Sequence, residues 1–320
     1  MEVGTEDDSS PIKTMCVLGG SMHVIKAQGI YRVQLADEID PQRTNPAIPH
    51  TYQRVLRYGT DCELVRQTLM TAKRLFDTKL LGAAFSYTQA TDHSFEALKD
   101  LIAMHEMRLG LEVSLNKISE ALGGLIIKNR ALPVPTVGEP RVLVETFIQK
   151  ADHVIADLFA IAKLFYPEEI GKKWFESLFE LAKERCGSDQ PFTKFLAEAL
   201  PFLKLIRNAR NCVEHPKVDR RLEVFDITLL PSGQLRPPTM EIIEQDTPQP
   251  IIAIVDFMAQ TIVQLASTFE LMIAYLCGTN IQPFAGFPVQ VVQYPPNLQK
   301  AYGVKLGYGI YDGNRIIPFG

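Results

Sequence analysis

The feature that most constrains the fold is a series of apolar segments with helical spacing between residues 140 and 278, each bounded by proline or glycine. Proline fits the first turn of a helix but cannot continue one, and glycine is favoured just after a helix ends. These boundaries predict four helices, at about 140–166, 167–186, 191–214 and 249–276. Pro201 lies inside the third segment and predicts a kink or a restart there.

Weaker signals for β structure surround these helices. Residues 221–230 and 239–244 read as two strands, and the Pro-Ser-Gly-Gln turn between them predicts a β-hairpin inserted at about 220–246. In residues 29–35, apolar and polar side chains alternate well enough to predict a short strand. The glycine pair Gly19-Gly20 does not match the pattern of a phosphate-binding loop. The expected fold is mainly α: a helical bundle with a β-hairpin insertion and short β segments at the termini.

The same reading divides the chain into four consecutive segments. An irregular N-terminal segment with one short strand comes first, then lead-in helices, then the bundle with its hairpin, and last a β-rich tail. The predicted boundaries are 1–60, 61–135, 136–280 and 281–320.

Charge and cysteine usage restrict the class of protein. The formal net charge of -4 excludes an overall basic coat, so nucleic acid would have to bind through a local patch. The five cysteines include no CxxC pair, and the sequence suggests neither a disulfide framework nor a metal site. A reducing cytoplasm is the expected location, and no cofactor is expected.

The longest apolar segment, residues 251–277, raises the question of a membrane span. Asp256, Gln260, Gln264 and Glu270 interrupt it, and a membrane interior accommodates such groups poorly. We therefore predict a buried helix in a protein that does not contact a membrane.

Residues 207–216, with the sequence RNARNCVEHP, carry most of the chemistry in the chain. Arg207, Asn211 and His215 are spaced i, i+4 and i+8, which predicts one stripe on a helix, pointing to solvent or to a partner chain. Arg210 lies on an adjacent line, with Glu214 as its own i+4 partner.

These side chains suit cleavage of RNA by attack of a 2′-hydroxyl on the neighbouring phosphate. Histidine can accept or donate a proton near neutral pH, and the planar guanidinium of arginine matches phosphate oxygens. Asparagine can orient the histidine or bind a sugar or phosphate oxygen. Arg210, Asn211 and His215 are therefore the catalytic candidates.

The region around the motif is locally basic. Residues 204–221 include six basic side chains and two acidic ones, Glu214 and Asp219. Phosphate binding requires such a local excess of positive charge in a protein whose net charge is negative. Outside the catalytic candidates, the residues predicted to bind RNA are Lys204, Arg207, Lys217 and Arg220.

A purely structural explanation of the motif stays open. Arg210 and Glu214 can form an ordinary ion pair on a helix surface, and a charged His215 is favoured by the helix dipole. The neighbouring arginines could also lower the pKa of the Cys212 thiol, although no histidine pairs with it as in a catalytic nucleophile.

The run from Ala209 to His215 resembles the signature of HEPN domains. Arg210 matches the arginine of that signature, Asn211 its polar position and His215 its histidine. The resemblance implies a metal-independent endoribonuclease of the kind found in toxin–antitoxin, phage-defence and RNA-processing systems. It also implies a homodimer whose two motifs face one RNA cleft, with His215 as acid or base, Arg210 as phosphate clamp and Asn211 positioning them.

Two other interpretations remain. The chain could be a non-catalytic HEPN-like module that dimerises or binds RNA or protein, or a helical scaffold in which the motif is a coincidence. The expected partners are RNA, a second copy of the chain and an antitoxin or regulatory protein.

Overall fold

A computed structural model describes residues 3–5, 7–122, 131–171, 174–282, 288–311 and 315–318. The chain forms two compact units, and each one joins stretches that are distant in sequence. The first unit contains Met1–Lys99, Asp157–Pro167 and Ala266–Gly320. The second unit contains Asp100–Ala156 and Glu168–Leu265. The predicted division into four consecutive segments stays a prediction.

The first unit begins with an antiparallel sheet whose strands follow one another in chain order. Its strands are β1 (Ile12–Leu18), β2 (Ser21–Lys26), β3 (Ile30–Gln34) and β4 (Thr51–Leu56). Gly19 and Gly20, at φ 55° and 74°, close the β1–β2 hairpin between Leu18 and Ser21. Both turn positions need positive φ, which glycine adopts without steric cost.

The prediction of a mainly α fold is wrong. Helix accounts for about 51% of the structure and strand for about 20%, and the described residues contain four separate sheets, so the fold is mixed. The N-terminal segment was expected to be irregular apart from one short strand at residues 29–35, which is confirmed as β3. Strand β2 was not predicted, and it lacks the apolar–polar alternation of a half-buried strand. His23, Val24, Ile25 and Lys26 are consecutive and all buried, so burial on both faces removes the period-two signal.

Helices make up most of the remaining structure. A short α1 (Ala36–Ile39) precedes β4, and α2 (Glu63–Val65), a π-helical turn (Arg66–Met70) and α3 (Thr71–Leu75) follow each other without a break. The later helices are α4 (Thr78–Leu81), α5 (Tyr87–Leu122), α6 (Pro140–Phe165), α7 (Phe175–Cys186), α8 (Pro191–Glu214), α9 (Ile254–Thr279) and α10 (Pro296–Tyr302).

The helix predictions succeed where proline and periodicity agree. Helices α6 and α8 end within one residue of their predicted limits, and α8 continues through Pro201. Pro167 does not begin a helix, because the chain forms a turn there and α7 starts only at Phe175. Helix α5 starts at Tyr87 and lies in the segment that was expected to contain the lead-in helices.

The predicted hairpin after α8 is confirmed, and it is larger than expected. It consists of β5 (Arg221–Phe225), β6 (Thr228–Leu229), β7 (Leu235–Arg236) and β8 (Thr239–Ile243), with β5 paired to β8 and β6 to β7. An unpredicted strand, β9 (Gln249–Ala253), pairs with β8 and takes the residues assigned to the start of the last helix.

The C-terminal tail forms a second antiparallel sheet of the first unit, as its β-rich sequence predicts. Its strands are β10 (Val289–Gln293), β11 (Leu306–Tyr311) and β12 (Ile316–Pro318), in that order. Tyr308 is buried and donates to the carbonyl of Leu75 at 2.7 Å, which ties this sheet to α3.

Helix α9 is the one helix among the described residues that is long and apolar enough to cross a membrane. Of its most apolar 18-residue window, 61% is buried inside the structure, as in the core helix of a soluble protein. The predictions of a cytoplasmic location and of no membrane contact stay predictions.

Glu270 of α9 is a buried carboxyl group in the first unit, with only 6% of its surface exposed. Thr71 Oγ1 donates to it at 3.3 Å and Gln67 Nε2 at 3.5 Å. Burial raises the pKa of Glu270, and the opposing effect of the Lys305 ammonium is smaller. Lys305 itself donates to the exposed Glu63 at 2.7 Å.

We expect Glu270→Gln to raise the melting temperature at pH 7. The folded-state pKa of Glu270 lies above its ordinary value of 4.5, so the folded protein binds more protons than the unfolded chain as pH rises past that value. Stability is therefore lost with rising pH, and a neutral glutamine avoids the loss. Thermal unfolding of both proteins at pH 4.5 and pH 7 should show a gain that shrinks at the lower pH.

Glu63→Gln is the matched control for this experiment. Its partner Lys305 lowers the pKa of Glu63, so the same substitution should not stabilise the protein at pH 7. A Glu270→Gln variant that melts below wild type at pH 7, but not at pH 4.5, would contradict the prediction.

Candidate functional site

Helix α8 carries the motif along its last turns, and its apolar face fixes how the motif is oriented. Phe202, Leu203, Ile206, Ala209 and Cys212 are all buried in the second unit. The intervening positions face outward because successive residues are rotated by about 100° on a helix. Consistent with that rotation, the side chains of the predicted site are exposed or half-buried on the other face: Lys204, Arg207, Arg210 and Asn211.

His215 lies just beyond the helix, in a conformation that is no longer helical. It occupies the C-cap position at φ −135° and ψ 60°, and its N–H donates to the Asn211 carbonyl at 2.9 Å. Pro216 cannot extend the helix, and Arg220 Nη2 donates to the His215 carbonyl at 3.2 Å. The prediction that Arg207, Asn211 and His215 form one stripe on a helix is therefore wrong for His215, because its backbone is no longer helical.

The imidazole of His215 is exposed. Within the described part of the chain it makes no hydrogen bond, so no neighbour fixes its tautomer or its orientation. The side chain is therefore accessible to a ligand and has both ring nitrogens available.

Arg210 is held by two carboxylates. Its Nη1 donates to Asp152 of α6 at 2.8 Å, and its Nε donates to Glu214 at 2.9 Å. The Arg210 side chain is 41% exposed and that of Asp152 only 11%. The third nitrogen, Nη2, has no hydrogen-bond partner among the described residues, so one donor group of Arg210 remains for a ligand.

The ion pair with Arg210 only partly offsets the effect of burial on the pKa of Asp152. Desolvation raises the pKa of this carboxyl group, while the guanidinium of Arg210 acts in the opposite direction. Glu214, through its hydrogen bond, raises the pKa of Arg210, which stays charged. Asp152 and Glu214 together place two negative charges beside the cation that was expected to bind phosphate.

The four residues predicted to bind RNA form two separate groups. Lys204 pairs with Glu176 at 3.1 Å, and the guanidinium of Arg207 lies 4.7 Å from the ring centroid of Trp174. Beyond His215, the backbones of Lys217 and Arg220 form an isolated β-bridge that closes a turn. The side chain of Lys217 is exposed, whereas that of Arg220 turns back to cap α8.

The first of these groups lines a cleft that sequence reasoning missed. The cleft has a volume of about 710 Å³, and Trp174, Lys204, Arg207, Asn208 and Thr247 are among its lining residues. Asn208 Nδ2 donates to Thr247 Oγ1 at 3.1 Å within this lining. The residue that could have indicated this cleft from the sequence is Trp174, because it is the one tryptophan in the chain and lies close in sequence to a basic helix.

The neighbouring arginines do not lower the pKa of Cys212. Its thiol is buried, and burial raises its pKa to about 11, with Glu244 adding to the effect and Arg220 opposing it. At neutral pH the side chain is a neutral thiol that packs in the core.

No three or more His, Cys, Asp or Glu side chains of the described residues are grouped so that they could hold a metal ion. No family model, curated protein or solved structure matches the chain. The interpretation of the site therefore depends on its own geometry and chemistry.

We expect Arg210→Ala to lower the free energy of unfolding by about 1–3 kcal/mol, because it leaves the carboxylate of Asp152 buried without its partner. His215→Ala should change it by less than about 0.5 kcal/mol, since that imidazole is exposed and unbonded. Urea unfolding followed by circular dichroism measures both values.

The double variant Asp152→Ala/Arg210→Ala tests the cause of the effect. Removing both partners leaves no buried unpaired charge, because Glu214 is exposed, so the double variant should be more stable than the sum of the two single losses predicts. If the losses in the free energy of unfolding of the two single variants simply add, Arg210 stabilises the fold through contacts other than the one with Asp152.

Proposed function

We propose that the end of α8 is the catalytic site of an endoribonuclease that cleaves RNA by transesterification. The observation that supports this most strongly is the exposed and unbonded imidazole of His215, one residue beyond a helix end that carries Arg210. An accessible imidazole at a locally basic helix end suits proton transfer beside a bound phosphate.

The reaction needs two proton transfers. A base removes the proton of the 2′-hydroxyl as its oxygen bonds to phosphorus, and an acid protonates the 5′-oxygen as its bond to phosphorus breaks. One imidazole cannot serve as base and acid in the same step, so we propose a homodimer in which a second copy of His215 supplies the other group.

The proposed role of Arg210 is to bind the non-bridging phosphate oxygens through Nη2. Its ion pairs with Asp152 and Glu214 hold the guanidinium in one place, which reduces the ordering cost of binding. Lys217 is exposed beside the motif and offsets part of the carboxylate charge. Asn211 is half-buried one turn before His215, where it can position the sugar or the phosphate.

A second candidate function is a module that binds RNA or a protein partner without cleavage. The double ion pair of Arg210 favours it, because a guanidinium engaged by two carboxylates also serves to join α8 to α6. A role in toxin–antitoxin or phage-defence systems, control by an antitoxin or another regulator, and a cytoplasmic location belong to the proposal as well.

We expect wild-type protein to cut labelled single-stranded RNA or tRNA in the presence of EDTA, leaving fragments that end in 2′,3′-cyclic phosphate. His215→Ala should lower the rate by about 10²- to 10⁴-fold, which is the usual contribution of a general acid or base. Gel analysis of the fragments measures both the rate and the end group.

His50→Ala is the control, because His50 is also exposed and accepts from the backbone N–H of Ala36 in the first unit. This variant should cleave like wild type. Undiminished cleavage by a cleanly purified His215→Ala protein would refute the assignment. RNA binding without fragments from the wild type would favour the second candidate.

A further inference from the structure

The cleft beside α8 contains an aromatic–cation pair formed by Trp174 and Arg207. The guanidinium of Arg207 lies 4.7 Å from the ring centroid of Trp174, and the Arg207 side chain is exposed to solvent. A guanidinium plane, like an aromatic ring, is a surface on which nucleobases stack. The pair therefore brings two planar groups on which a base can stack to the lining of the cleft.

The backbone of Trp174 is strained where it presents this ring. It has φ 60° and ψ −145°, a conformation that residues other than glycine adopt only at an energetic cost. Strain of this kind is concentrated at binding and catalytic sites. The position of Trp174 beside Arg207 is thus maintained against a backbone preference.

Polar groups line the same cleft. Asn208 and Thr247 carry an amide and a hydroxyl group, and they are hydrogen-bonded to each other at 3.1 Å. Pro201 has no N–H, so the carbonyl of Ala197, four residues earlier, lacks its usual helical donor. Both of these residues line the cleft, where such a carbonyl can accept from an amino group of a base.

Charge in the cleft is balanced and not strongly basic. Lys204 is neutralised by Glu176 at 3.1 Å, and Asp246 lines the cleft together with Arg207. A free phosphate therefore gains little binding energy in the cleft, whereas a nucleotide also gains the stacking energy of its base. The composition of the cleft therefore favours a whole nucleotide over a free anion.

The cleft and the motif share one helix. Arg207 and Asn211 are four residues apart, which is about 6 Å along the helix axis. Adjacent nucleotides of one strand can therefore contact both places.

We propose that this cleft binds one nucleotide of single-stranded RNA next to the cleaved phosphodiester, with its base stacked on the Trp174–Arg207 pair. The inference deepens the proposed function and rests on it for the identity of the ligand. The base occupies the cleft while the following phosphate reaches Arg210.

Trp174 provides a direct probe, because the sequence contains one tryptophan and its emission reports on the cleft alone. Full-length His215→Ala protein is titrated with AMP, with a short single-stranded oligoribonucleotide and with inorganic phosphate. We expect the oligoribonucleotide and AMP to change the emission saturably, with the oligoribonucleotide binding more tightly. Inorganic phosphate at the same concentrations should leave the emission unchanged.

Variants at Arg207 separate stacking from charge. Arg207→Lys keeps the charge and loses the planar surface, so it should bind the oligoribonucleotide roughly 5- to 150-fold more weakly, as expected for the loss of one stacked base. Arg141→Ala removes an exposed cation at the start of α6 and should bind like the parent protein. Equal affinity of Arg207→Lys and the parent, or a response to phosphate equal to that of AMP, would overturn the proposal.

The titration also separates this inference from the proposed catalysis. Saturable quenching by RNA in a protein that never cleaves would support the nucleotide site and refute the enzyme. Cleavage by wild type without any change in Trp174 emission on RNA binding would refute the nucleotide site and leave the enzyme intact.

Discussion

Burial of one face of α8 is the constraint from which the geometry of the site follows. Leu203, Ile206, Ala209 and Cys212 are fully buried, so the helix cannot rotate without exposing them. Burial of Leu203 and Ile206 contributes about 1.5–3 kcal/mol for each side chain relative to an exposed one. With the rotation fixed, the outward positions of the same turns carry the arginines and asparagines of the motif, and Pro216 ends the helix immediately after His215.

The contacts of Arg210 explain why its sequence motif supports two interpretations. A guanidinium has five N–H donors, so one residue can join two helices and still present a donor to a ligand. Its contact with Asp152 is structural, because that carboxylate is nearly buried and needs a charged partner. Its third nitrogen faces no partner in the described structure, and this part of the residue is the one relevant to phosphate.

The cleft and the motif lie along different parts of α8 and have different surroundings. Around Pro201 the helix lacks one backbone hydrogen bond and borders the cleft that Trp174 also lines. Near His215 the helix ends against a capping arginine and a tight turn. A stacked base and a bound phosphate call for such different surroundings, since the first requires a flat apolar surface and the second requires directed donors.

The sequence by itself determined α6, α8 and the hairpin after α8, because each combines clear periodicity with proline or glycine at its ends. It also identified the chemical groups at the end of α8 and the Arg210–Glu214 pair, whose partners are one helical turn apart. These features depend on residues within a few positions of each other, so a sequence pattern can predict them.

Only the tertiary structure decided the rest. Of the N-terminal sheet only β3 was predicted, and β2 was missed because it is buried on both faces and shows no alternation. This sheet changes the fold class. The partner of Arg210 is 58 positions away in α6, and Trp174 reaches Arg207 from outside α8. Cys212 is inert because burial outweighs its basic neighbours. Contacts and desolvation of this kind arise between distant segments, and no local pattern encodes them.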